Sequence, residues 1–321
     1  MPETIVLLDM MAPERAERLR ALLPPGFVLT HGTARGDAHM KEIIAEADYA
    51  ITGQVGVSGD VLRAGRKLKL LHKWGVGYDN IDIATAKELG ITVARTTGSN
   101  AVPVAEFTIG LMLSALRHIA YGHAELRKGH WTTGRLPGET YTLSGKTVGI
   151  VGLGMIGKTV AKLLKGFGCP ILYSKRTPLD AAEEAALGVR HAPLAQLLAE
   201  ADVVSLHCPL TPETADLIDA AAFRAMKRTA VLVNAARGGV VKEQDLVVAL
   251  RDGEIAGAAM DVYATEPLPA ASALLTLDNL VTTPHLAALS ADGFVPTVKR
   301  MFANIQRVSR GEPVPPLDLV V

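Results

Sequence analysis

The feature that most constrains this chain is a glycine-rich turn between an apolar strand and a helix. Residues 147–160 read T-V-G-I-V-G-L-G-M-I-G-K-T-V, which puts Gly152, Gly154 and Gly157 in G-x-G-x-x-G register. The spacing alone is weak evidence. Here it follows a short apolar run, opens a helical stretch predicted over 156–167 and leads to a strand predicted at 170–173, and that strand–turn–helix–strand context makes the pattern specific. Gly152 permits the tight turn, Gly154 lets the backbone approach a pyrophosphate, and Gly157 lets helix pack on strand. The helix N-terminus adds unpaired N–H groups and a partial positive charge. The competing reading is a turn of the same shape with no ligand.

The rest of the chain repeats this alternation. Apolar runs at 5–8, 49–52 and 68–72 are strand-length, and 13–23 and 40–46 between them carry mixed charge at helical spacing. Further strands are predicted at 202–207, 230–234, 257–262 and 280–283. Such β-α-β alternation predicts parallel sheets covered by helices on both faces. A length of 321 residues suggests two domains at about 150 residues each. A turn cluster at 97–100 divides two series, followed by a strongly apolar helix predicted over 101–125 that needs covering. Residues 127–145 read as an extended arm, and a helix over 290–308 returns to the first series. The expected fold is therefore α/β, with two Rossmann-like, doubly wound parallel-sheet domains. The first is discontinuous and flavodoxin-like (1–100 and 288–321, substrate-binding), and 101–287 is the dinucleotide-binding domain.

Composition excludes several function classes. The 33 Lys+Arg balance 33 Asp+Glu, so neither nucleic acid nor an anionic membrane is the expected partner. No apolar run reaches the roughly 18 residues of a membrane span, and the N-terminus reads as a strand, not a signal peptide. Cys169 and Cys208 sit beside apolar stretches, as buried reduced thiols do, and neither belongs to a metal-ligand pair. A cytoplasmic protein without a metal is expected.

The strand after the glycine turn selects the dinucleotide. An acid about 20 residues beyond the first glycine would accept hydrogen bonds from the ribose hydroxyls of NAD. Here Ser174 stands there, followed by Lys175 and Arg176. Two cations suit a 2′-phosphate through charge-assisted hydrogen bonds. NADP(H) is the expected cofactor and NAD(H) remains possible, since a solvated basic turn would tolerate either.

Three polar residues then fall at or beyond strand ends, where open α/β sheets place ligands. They are Arg237 in V-N-A-A-R-G-G, Glu266 in D-V-Y-A-T-E-P and His285 in T-T-P-H-L-A-A. Singly, each has an unremarkable reading: a surface cation, a loop-ending carboxylate, a satisfied histidine. Together they supply an acid–base histidine, a carboxylate to orient it and favour its charged form, and a cation for an anionic substrate.

With these motifs the chain resembles the D-isomer-specific 2-hydroxyacid dehydrogenases over nearly its whole length. The likeness includes W-G-V-G-Y-D-N-I-D at 74–82, N-A-V-P-V-A-E-F at 100–107, the glycine turn, S-L-H-C-P-L-T-P-E-T at 205–214, and the Arg, Glu and His blocks. The resemblance implies that Arg237, Glu266 and His285 are catalytic, and that Val76 and Gly77 grip the substrate carboxylate beside Arg237 and His285. It also implies that Asp261 holds the nicotinamide carboxamide. Met155, Ile156, His207, Pro209, Thr214 and Ala235 complete the cofactor set. Within the family the chain looks most like glyoxylate/hydroxypyruvate reductases, through the basic 174–176 turn, the Trp131 arm and the ending R-G-E-P-V-P at 310–315. A chain ending at Val321 is expected to lack the regulatory domain of many phosphoglycerate dehydrogenases.

The expected reaction is reduction of a small 2-oxo acid to the D-2-hydroxy acid by NADPH. Alternatives are an NAD-dependent phosphoglycerate-like or phosphite dehydrogenase and, further off, a dinucleotide-sensing corepressor, against which the zero net charge counts; a structural role would leave the Arg/Glu/His set without a use. The apolar 101–116 helix and the arm predict a homodimer, with Trp131 or Leu136 entering the partner's site or simply packing at the interface.

Overall fold

The computed structural model describes residues 2–321. The chain forms two compact units, one from the segment ending at Asn100 with Leu289–Val321 and the other from Ala101–Ala288. In the first unit, strands and helices alternate as β1 (Glu3–Met10), α1 (Pro13–Arg20), β2 (Phe27–Gly32), α2 (Asp37–Ile44), β3 (Tyr49–Thr52), α3 (Gly59–Ala64), β4 (Leu70–Lys73), α4 (Ile83–Glu88) and β5 (Thr92–Arg95). All pairings are parallel, in the order β2-β1-β3-β4-β5. This is the flavodoxin-like winding.

Every residue of β3 and β4 is buried, because helices cover both sheet faces and no strand side is left for water. One face carries α2, α3 and α4 through Met40, Ile44, Val61, Leu62 and Ala86. The other receives the C-terminal helix Ala291–Ser309, whose Phe294, Val298, Met301, Phe302 and Ile305 meet Ile5, Leu7, Ile51 and Leu70. Those five anchors fall at helical spacing on one stripe, each stabilising by roughly 1.5–3 kcal/mol when fully buried. Beneath them His72 accepts a hydrogen bond from Asn304, which also donates to Asp318, and Arg300 grips Asp318 through two nitrogens at 2.6 and 2.7 Å.

The second unit runs α5 (Ala101–Arg117), α6 (Ile119–Arg127), β6 (Val148–Val151), α7 (Met155–Leu164), β7 (Ile171–Ser174), α8 (Ala181–Leu187), β8 (Val189–His191), α9 (Leu194–Glu200), β9 (Val203–Leu206), α10 (Ala220–Ala225), β10 (Val231–Asn234), α11 (Glu243–Arg251), β11 (Gly257–Met260) and β12 (Leu280–Thr282). Its seven parallel strands are ordered β12-β11-β10-β9-β6-β7-β8. The winding reverses between β6 and β9, a topological switch point of the kind that holds ligands in open sheets.

Several sequence expectations need correction. The helix expected over 101–125 is two helices, broken at His118, which adopts a left-handed conformation (φ 51°) and whose Nε2 lies 3.2 Å from the Glu139 carbonyl. No single described helix is long and apolar enough to cross a membrane; α5 and α6 reach that length only as a pair bent by 68°. Nine side chains of α5 are buried, and six of them (Ala105, Ile109, Leu111, Met112, Ala115 and Leu116) belong to the unit's own core. The 127–145 arm is exposed at Trp131 but ends in the core, where Leu143 is buried and the Tyr141 amide donates to Leu116. The helix expected to reach 167 stops at Leu164, and a 3-10 turn over Lys165–Phe167 closes on Gly168 at φ 65°.

Candidate active site

The glycine turn lies at the switch point of the second unit. Gly152 has φ +92°, and a Cβ there would come within 2.6 Å of the Cys208 amide nitrogen just beyond β9. A side chain would thus force apart the two strands that flank the switch point. The Gly152 amide donates to the Ser174 carbonyl at the end of β7, and His207 donates its amide to Val151. A Cβ on Gly157 would meet the Gly152 carbonyl oxygen at 2.5 Å and Ile150 at 3.2 Å, so only glycine lets α7 settle on β6. Gly154 is different: a Cβ there meets nothing within 4 Å, and no side chain caps the start of α7. Open space in front of an uncapped helix N-terminus fits a pyrophosphate.

Ser174 is half-buried, and Lys175 and Arg176 are exposed immediately after β7. Glu213 faces Arg176 closely enough to help hold the Glu213 carboxyl below its usual range, after the larger effect of a hydrogen bond from Thr211. Along the next strand end, Ser205 Oγ and His207 Nε2 lie 2.9 Å apart, and burial pushes the His207 imidazole down to about 4. Thr214 closes the loop beyond Pro209 by donating to its carbonyl at 2.6 Å and accepting from the Thr211 amide at 2.8 Å. Met155 is half-exposed at the first turn of α7 beside Ile156, and Ala235 directly follows β10.

Glu266 and His285 lie beyond the C-terminal ends of β11 and β12 of this sheet. His285 Nδ1 lies 2.7 Å from Glu266 Oε2, each side chain about one-third exposed. An ionised carboxylate only accepts, so Nδ1 carries the proton and the neutral ring keeps Nε2 as an acceptor. The other Glu266 oxygen accepts from the Tyr263 amide at 2.9 Å. Burial pushes the Glu266 carboxyl up, but the His285 and Tyr263 hydrogen bonds, with the Arg237 charge nearby, outweigh it and hold it below the usual carboxylate range. His285 itself is in the left-handed region at φ 54°, a rare conformation for a residue with a Cβ, and its amide donates to Asp261 O and Thr283 O.

Asp261, assigned by resemblance to the nicotinamide carboxamide, has a second task. It is fully buried, and its carboxylate accepts from Thr283 Oγ1 at 2.6 Å and from the Leu286 and Ala287 amides at 2.8 Å each. It clamps the His285 loop.

Three residues outside the sequence expectations build the remainder. Asn234 donates to the Arg237 carbonyl at 2.9 Å and accepts from the Ala236 amide at 3.0 Å. This is an Asx turn that N-A-A-R could have announced. Gly238 leaves no room for a Cβ, which would fall 1.9 Å from the Tyr263 carbonyl carbon. Glu243 accepts from the Ala264 amide at 2.6 Å. Arg237, Glu266 and His285 are thereby brought to one edge of the second unit with all the cofactor-turn residues. Val76 and Gly77 belong to the first unit, in the loop after β4. Among the described residues no group of three His, Cys, Asp or Glu side chains is arranged to hold a metal.

Comparison with known proteins matches residues 109–287 to the NAD-binding domain of D-isomer specific 2-hydroxyacid dehydrogenases. A glyoxylate reductase of Korarchaeum cryptofilum is 40% identical over 81% of this chain and 78% of its own length. A D-3-phosphoglycerate dehydrogenase of Methanocaldococcus jannaschii is also 40% identical over 84% of this chain, which spans about half (51%) of that longer protein. The crystal structure of an NADPH-dependent glyoxylate/hydroxypyruvate reductase from Sinorhizobium meliloti, in complex with NADP and malonate, superposes with a TM-score of 0.86. It shares 30% identity and covers 100% of this chain and 97% of that one.

Proposed function

The chain belongs to the D-isomer-specific 2-hydroxyacid dehydrogenase family, and from that membership we propose that it reduces glyoxylate or hydroxypyruvate with NADPH. It is a nicotinamide-dinucleotide oxidoreductase of 2-oxo and 2-hydroxy acids, acting on CH–OH groups.

The observation that carries the mechanism is the 2.7 Å contact between His285 Nδ1 and Glu266. A bound reduced nicotinamide supplies the hydride that reduces the carbonyl carbon. His285 Nε2 delivers the proton that the carbonyl oxygen takes up. In the opposite direction Nε2 accepts it from the hydroxyl. Glu266 fixes the ring tautomer and balances the imidazolium. Arg237, always cationic, lowers the energy of the negative charge that develops on that oxygen and binds the neighbouring carboxylate. By resemblance, Val76 and Gly77 are assigned a substrate carboxylate through their backbone.

NADPH is favoured over NADH because Ser174, Lys175 and Arg176 present two cations and no acid where a ribose 2′-phosphate is read. The homodimer is supported by exposed Val102, Ile119, Leu126 and Trp131, with Trp131 or Leu136 as candidates to cross to the partner.

A second reading, D-3-phosphoglycerate dehydrogenase, is favoured by the equally identical relative. A panel of NADPH and NADH against glyoxylate, hydroxypyruvate, pyruvate, phenylpyruvate, 2-ketogluconate and 3-phosphohydroxypyruvate separates the two. The reading stands if kcat/KM is highest for NADPH with glyoxylate or hydroxypyruvate. It falls if the phosphorylated acid or NADH leads.

A further inference from the structure

Lys73 is the one lysine or arginine that is buried among the described residues, 6% exposed at the end of β4. Burying an ammonium is costly unless its donors are paired. Its Nζ donates to the Gly53 carbonyl just beyond β3 and to Asn80 Oδ1 at 2.9 Å. Asn80 in turn donates its amide to the Gln54 and Val55 carbonyls at 3.2 and 3.0 Å. From the other side, Asp9 at the end of β1 accepts from the Gly53, Gln54 and Val55 amides. Residues 53–55 are therefore held through both their N–H and their C=O groups, and they form a fixed platform at the strand ends.

The loop that leaves β4 springs from this platform. It begins at Lys73 and is pinned back at Asn80, so the two residues bonded to each other bracket 74–79. Within the bracket the Trp74 amide donates to Thr52 O at 2.8 Å, and Arg95 Nη1 donates to Val76 O at 3.2 Å. A loop tied at its base, its middle and its far end holds its backbone N–H groups in one arrangement before any ligand arrives. Pre-organised donors bind an anion more tightly because less ordering entropy is lost on binding.

We propose that Lys73 is a positioning residue that, through its bridge to Asn80, sets the affinity of residues 76–77 for the substrate carboxylate. This rests on the assignment of those residues to the carboxylate made above. The ammonium acts through the loop and not by touching substrate, so its loss weakens binding of the 2-oxo acid while the hydride and proton steps continue.

The test compares Lys73→Met and Asn80→Ala with the wild-type enzyme. The readouts are steady-state kinetics with glyoxylate and hydroxypyruvate, NADPH affinity by fluorescence, and amide hydrogen exchange of residues 74–80. Both variants are expected to raise KM at least about tenfold, with kcat within threefold, unchanged NADPH affinity and faster exchange confined to 74–80. A KM within twofold of wild type, or unchanged exchange in that loop, overturns the proposal. So does a high KM in Lys73→Met alone, since charge and not position would then be responsible. Should Lys73→Met fail to fold, Lys73→Arg with Asn80→Ala answers the same question. A wild-type enzyme that turns over no 2-oxo acid removes the functional reading and the affinity role together. Unchanged KM in variants of a working enzyme removes only the role of Lys73.

Discussion

Gly238 and Tyr263 touch so closely that a methyl group on the glycine would lie 1.9 Å from the tyrosine carbonyl carbon and 2.2 Å from its oxygen. Gly238 follows Arg237, and the Tyr263 amide holds Glu266, so this contact joins the Arg237 loop to the carboxylate that His285 meets. The Tyr263 hydroxyl extends the joint by donating to Met260 O and Thr283 O. Gly238→Ala must separate the two loops, because both neighbours are backbone and cannot rotate away. Overpacking of this kind costs about 1–3 kcal/mol. We expect a lower melting temperature and at least a tenfold loss of kcat, and an alanine variant with wild-type turnover would show that the joint is dispensable.

Removing the imidazole tests the proton donor. Groups of this kind contribute roughly 10²–10⁴-fold, so His285→Ala should lose at least about a hundredfold in kcat with NADPH affinity nearly unchanged. Reduction consumes a proton and oxidation releases one. The reductive rate is therefore expected to fall as pH rises and the oxidative rate to climb. Parallel profiles in the two directions would exclude His285 as the shared donor and acceptor.

Lys175 and Arg176 are exposed, so replacing them should leave folding intact. Arg176→Ala and Lys175→Ala are expected to raise KM for NADPH about tenfold each and to leave KM for NADH within twofold. Equal effects on the two cofactors would point to a solvated basic turn without a role in selection.

His72 ties stability to pH. Burial pushes its imidazole down to about 4, against a partly opposing effect of its bond to Lys73 O and of Asp318, while Arg300 lowers it further. The folded state holds His72 neutral, donating from Nδ1 to Lys73 O and accepting at Nε2 from Asn304. The unfolded chain takes up the proton near its ordinary value of about 6.5. Stability is thus complete above about pH 6.5 and is lost as pH falls toward 4, by about 3 kcal/mol for this one group. His207, shifted in the same direction, adds to the slope. His72→Gln should flatten the fall in urea midpoint between pH 6.5 and 4 without abolishing it. An unchanged slope would assign the effect elsewhere.

Much of this was legible in the sequence, because the relevant signals are local. Apolar runs marked the buried strands β1, β3 and β4, the spacing of Gly152, Gly154 and Gly157 marked the cofactor turn, and the blocks around Arg237, Glu266 and His285 stood out at strand ends. Spacing along a chain reports which face a residue takes and which turn it permits. It does not report which buried polar group will meet which. The capture of the 286–287 amides by Asp261, the abutment of Gly238 on Tyr263 and the Lys73–Asn80 bridge each join residues from separate segments or across a loop. The break at His118 inside the helical stretch expected over 101–125 is of the same kind, since the arm's return to the Glu139 carbonyl accompanies it. Sequence alone determined nine of the twelve strands, their parallel pairing and the chemical types at the site, but not β2, β5 or β8. Tertiary structure decided the partners, because a buried donor or acceptor must be satisfied by whatever the fold brings within reach.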